Sequence, residues 1–74
     1  MMQLHLVTNR APIAGSVAVN DRVVLMDVAA SARLSDEILR SNPSASETSL
    51  LALDEIGYAQ LVALVAESEG VMSW

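Results

Sequence analysis

At 74 residues the chain has room for one small domain, since compact domains usually need about 50 to 200 residues around a single core. A composition that is 53% hydrophobic and 18% charged is too apolar for a disordered tail. The longest uninterrupted apolar run, Leu61 to Ala66, is far shorter than the roughly 18 residues a membrane-spanning helix needs. The net charge of −5 is unevenly placed: Arg10, Arg22, Arg33 and Arg40 balance Asp21, Asp27, Asp36 and Glu37, whereas Glu47, Asp54, Glu55, Glu67 and Glu69 face no Lys or Arg at all. Nucleic-acid binding normally shows the reverse, a clustered basic face that displaces counterions from phosphates, so direct RNA or DNA contact is not expected.

The first strand is expected at Leu4 to Thr8, a short apolar run broken by Asn9, Arg10, Ala11 and Pro12. Pro12 to Asn20 fits either a short helix, weakened by Gly15, or an irregular crossover. Asn20-Asp21 is a turn signal, and Val23-Val24-Leu25-Met26 behind it suits a strand buried on both faces. From Val28 the period becomes helical, with Val28, Ala32, Leu34, Ile38 and Leu39 on one side, and Asn42-Pro43 ends that helix. A polar loop from Ser44 to Ser49 leads to a third strand, Leu50 to Leu53. Tyr58 to Glu69 carries Tyr58, Leu61, Val62, Val65 and Ala66 at helical spacing, with Gly57 placed for an N-cap and Gly70 for a left-handed C-cap. Val71 to Trp74 makes a terminal edge strand. This alternation predicts an α/β fold: a small, mostly parallel sheet of about four strands with flanking helices and right-handed crossovers.

Without cysteine the sequence has no disulfide framework, thiolate metal site or sulfur nucleophile. A core of this size supplies only about 3 to 5 kcal/mol, and a mean hydropathy of +0.42 implies more apolar surface than a lone domain hides, so an oligomer or complex subunit is expected. No basic leader opens the sequence, which makes a cytoplasmic location the expectation.

His5 is the sole histidine, too few for a histidine metal site, and its reading is structural. Glycines 15, 57 and 70 are too scattered for a phosphate-binding loop, so no metal or cofactor is expected. Asp27 lies where a strand gives way to a helix, the position at which open α/β sheets place ligands, although the same residue there serves as a helix cap. Tyr58 and Trp74 are the only large aromatic side chains and, with Asp27, are the residues expected at a partner interface, Trp74 being equally suited to capping the core.

Leu4-His5-Leu6-Val7-Thr8-Asn9-Arg10-Ala11-Pro12 resembles the opening of the TusB/DsrH family of sulfur-relay subunits. Ile56-Gly57-Tyr58 and the closing Val71-Met72-Ser73-Trp74 look like the family's last helix start and its Ser-Trp or Ala-Trp ending. Val23-Val24-Leu25-Met26-Asp27 is similar to its second strand and turn. The resemblance implies the small three-layer domain of the DsrE/DsrF/DsrH group, with TusC/DsrF-like and TusD/DsrE-like partners in a hetero-oligomer. Such complexes pass persulfide sulfur towards 2-thiouridine at the tRNA wobble position or act in dissimilatory sulfur oxidation. Since a persulfide needs a thiolate, this sequence would supply a noncatalytic, TusB-like subunit. The alternative expectation is a stand-alone homo-oligomer that binds a small ligand or has lost the relay role.

Overall fold

A computed structural model describes residues 2–74, and in it Gln3–Val7 (β1) and Arg22–Leu25 (β2) form parallel neighbours at the centre of a sheet. Leu50–Ala52 (β3) pairs outside β2 and Gly70–Ser73 (β4) pairs on the free side of β1, giving a four-stranded, all-parallel sheet in the order β3-β2-β1-β4. Two helices, Ser31–Ser41 (α1) and Leu53–Glu67 (α2), complete the α/β architecture, with short 3-10 turns at Val28–Ala30 and Glu47–Ser49.

Side chains alternate across a strand, so the shared register sorts them onto two faces. Val7, Val23 and Leu25 meet Leu34 and Ile38 of α1, together with Val17 from the β1–β2 connection. Leu4 and Val24 point the other way and meet Leu64 of α2. The sheet is thus covered on both sides, which is why its central strands read as nearly continuous apolar runs.

The open choice for residues 12–20 resolves as an irregular crossover. It runs over the α1 face with Pro12 and Val17 buried, tied to the end of α1 by Gly15 N–H donating to the Ser41 carbonyl (3.1 Å) and Val17 N–H donating to Asn42 Oδ1 (3.1 Å). Asn42 closes α1 ahead of Pro43 as expected, while the helical period from Val28 begins as a 3-10 turn and becomes α-helical only at Ser31.

Several boundaries differ from expectation, β1, β2 and β4 by one residue at each end and α2 by more. β3 stops at Ala52, because Leu53 already begins α2. Gly57 interrupts α2 at φ 75°, ψ 170°, a conformation essentially confined to glycine, so a single turn from Leu53 precedes the main helix at Tyr58. Gly70 is no left-handed cap: the helix leaves through Ser68 (φ −75°, ψ 151°), and Gly70 opens β4 where a Cβ would press on the Gln3 side-chain amide.

α2 is apolar around most of its circumference yet uses one narrow stripe: Leu64 is buried and Leu61 half-buried, while Tyr58, Val62 and Val65 are exposed. A helix apolar on all sides ordinarily lies inside a larger structure.

Nothing lies within 4 Å of a Cβ built at Gly57, so its replacement costs only backbone strain. Gly57→Ala is expected to lower unfolding free energy by about 1 to 3 kcal/mol, despite alanine's better helix propensity. Urea denaturation followed by circular dichroism measures it; an unchanged or raised midpoint would show that the kink is not required.

Candidate functional site

β1 places His5 on the α1 face beside Val7, where it is fully buried, and the turn ahead of β2 places Asp21 next to it, 3% exposed. The parallel register explains the meeting: Leu4 pairs with Arg22, so the residue before Arg22 arrives beside the start of β1. His5 Nε2 lies 2.9 Å from Asp21 Oδ2. The same carboxylate accepts the Gln3 N–H on Oδ1 (3.1 Å) and the Ala18 N–H on Oδ2 (3.0 Å).

Trp74, at the end of β4, completes the cluster. Its indole Nε1–H donates to His5 Nδ1 at 3.0 Å, and the two rings lie 6.2 Å apart at 22°. An indole N–H can only donate, so Nδ1 is the unprotonated nitrogen and Nε2–H donates to Asp21. The chain Trp74 to His5 to Asp21 therefore fixes one neutral tautomer of the imidazole. Burial pushes the Asp21 carboxyl up, but the hydrogen bonds from His5, Ala18 and Gln3 outweigh it and hold the group below its ordinary value of 3.8.

This cluster joins strands; it does not offer a reactive centre. His5 is sealed from solvent, and both of its nitrogens are occupied. Among the described residues, no group of three or more His, Cys, Asp and Glu side chains is placed to hold a metal. An open depression of about 420 Å³ beside α1 is lined by Ala11, Glu37, Arg40 and Ser41, away from the cluster.

The three interface residues read from the sequence are dispersed. Asp27 is exposed and caps the 3-10 turn, its Oδ1 accepting the Ala29 N–H at 3.1 Å, which is the capping role. Trp74 is half-buried against the α1-side core and bound to His5, so most of what it offers is spent internally. Tyr58 alone stands clear, 73% exposed, and it shares α2 with exposed Val62 and Val65. Asp21 was legible only as a turn residue; the signal for its true role is a histidine at an inward strand position, which requires a buried partner.

No protein-family model, curated protein or solved structure matches the chain.

Asp21→Asn preserves shape but sets an amide NH₂ or a single carbonyl among three donors. A cost of about 1 to 3 kcal/mol is expected from the buried group left unpaired. In the unsubstituted protein the folded carboxyl titrates below the unfolded one, so its stabilisation is complete above pH 3.8 and is lost as pH falls through the lower folded value. Denaturant titrations of both proteins from neutral to acidic pH check this: the gap between them should close on acidification, and a constant gap would contradict it. Imidazole ¹⁵N shifts at neutral pH should report Nε2–H and a bare Nδ1.

Proposed function

We propose that the chain is a noncatalytic subunit of a hetero-oligomeric sulfur-relay complex, holding TusC/DsrF-like and TusD/DsrE-like partners that carry the transferring cysteines. The product served is most directly 2-thiouridine at the tRNA wobble position. One structural observation carries the assembly part: the outer side of α2 exposes Tyr58 (73%), Val62 (67%) and Val65 (43%), and β4 beside it exposes Val71 (45%). Scattered apolar residues are normal on a surface, but several on adjoining elements of so small a domain mark a surface built for contact.

The sulfur-relay part rests on the sequence resemblance of the opening strand, the Ile56-Gly57-Tyr58 segment and the Ser73-Trp74 ending. Two features of the fold support that reading. The α/β sheet suits the small three-layer domain that the resemblance implies, and the resembling ends are the parts that pair: β1 and β4 are adjacent, with Leu4 opposite Val71 and Leu6 opposite Ser73. The chemistry assigned to the partners follows from the thiolate that persulfide transfer requires, a group this sequence lacks.

The test is the light-scattering mass of the chain alone and after co-expression with DsrE-like and DsrF-like chains. A mixed complex is expected. A homo-oligomer that ignores both partners would overturn the relay assignment and favour a stand-alone protein that has kept the fold without the role.

A further inference from the structure

The carboxylates at the two ends of α2 are not equivalent. Asp54 and Glu55 stand in the single turn ahead of the Gly57 break, before the main helix begins at Tyr58. Glu67 closes the helix and Glu69 follows it, where the partial negative charge opposes them. No basic residue stands in the last turn, and none occurs between Ser44 and Trp74. Among the described residues, the only carboxylate within salt-bridge distance of a basic side chain is Asp21, beside His5, so none of these four acids is paired. Between the two acidic ends, Ile56 to Ala66 carries no charge.

Tyr58, Val62 and Val65 recur at i, i+4 and i+7, a stripe about 10 Å long. Leu61 and Leu64 turn to the sheet, so this stripe lies on one flank of α2, and a right-handed β3–α2–β4 connection turns that flank towards β4. Val71 waits there: it pairs with Leu4, shares its face of the sheet, and remains 45% exposed. A helix is about 10 Å wide and four strands span about 14 Å, so α2, seated on Leu4 of β1 and Val24 of β2, leaves β4 bare on this face.

We infer that Tyr58, Val62, Val65 and Val71, with Glu67 and Glu69 at one end, form the docking surface for a helix of a partner protein that is apolar along one side and carries Lys or Arg where it meets those glutamates. The charge pattern selects this occupant over a second copy of the chain. Antiparallel pairing of the main helix with itself brings Glu67 and Glu69 towards the end preceded by Asp54 and Glu55, parallel pairing sets Glu67 and Glu69 against their own copies, and neither supplies a basic residue. A basic end instead relieves the two acids that the helix terminus opposes. The inference deepens the assembly reading and rests on it, naming the face and the chemistry of the partner.

The test is an NMR titration of the whole chain with two helix-forming peptides of about four turns. Both carry the same leucine stripe; one has lysines at its ends and the other glutamates. The lysine-ended peptide is expected to shift the amides of Tyr58, Val62, Val65 and Val71 and to bind at least about tenfold more tightly, a preference that added salt reduces. Val62→Asp, at a position 67% exposed and therefore compatible with folding, should abolish binding; Val19→Asp, equally exposed on the crossover, should not. Glu67→Lys with Glu69→Lys should remove the preference for lysine ends. Equal binding of both peptides, no binding, or shifts confined to another face would overturn the inference. None of these outcomes depends on the relay partners, so failure here and failure of the sulfur-relay reading are told apart.

Discussion

A buried carboxylate ties this small sheet together. Asp21 enters the interior at the head of β2 and is satisfied there by the N–H of Gln3, the N–H of Ala18 and the imidazole of His5. Through His5 the network reaches Trp74, so one side chain links the start of β1, the end of the crossover, the head of β2 and the last residue after β4. A buried charge is expensive unless its lone pairs are used, and a network of this kind favours one arrangement because every alternative leaves a polar group orphaned. In a domain with so few fully buried apolar side chains, that specificity compensates for a thin core.

The two faces of the sheet are finished to different degrees. On the α1 side, Leu34 and Ile38 pack on Val7, Val23 and Leu25, the crossover adds Val17, and Trp74 closes the end over β4. On the α2 side, one helix covers Leu4 and Val24 and leaves much of its own apolar surface, and that of β4, facing outward. The asymmetry follows from connectivity. Both the β1–β2 crossover and α1 contribute to the first face, whereas α2 is the only helix on the second. On the α2 side this leaves Tyr58, Val62, Val65 and Val71 exposed, while Ile13, Val19 and Val28 are exposed on the crossover and in the turn ahead of α1.

Much of this organisation is legible in the sequence. The β-branched run at Val23 to Leu25, the helical period through Leu34 and Ile38, and the Asn42-Pro43 stop all reflect local preferences that the fold respects. The alternation of strands and helices carries the α/β class. What escapes a reading of the chain is long-range: Gly70 looks like a helix cap because it follows a helical period, but its neighbour across the sheet is Gln3. Asp21 looks like a turn residue, and only the register of β1 against β2 reveals it as the partner of His5. Of the residues expected at an interface, Tyr58 is exposed, while Trp74 is partly claimed by His5 and Asp27 by the backbone it caps.

A domain closed on one side by a buried hydrogen-bond network and covered on the other by a single helix should show that division in its dynamics. Amide hydrogen exchange along the isolated chain tests it most directly, since exchange reports local opening free energies residue by residue. The strongest protection is expected in β1 and β2 and at the Ala18 and Gln3 amides held by Asp21, with much weaker protection through Tyr58 to Glu67. Protection of α2 equal to that of β1 and β2 in the isolated chain would contradict this, because the lone helix would then be held as firmly as the strands tied by the network.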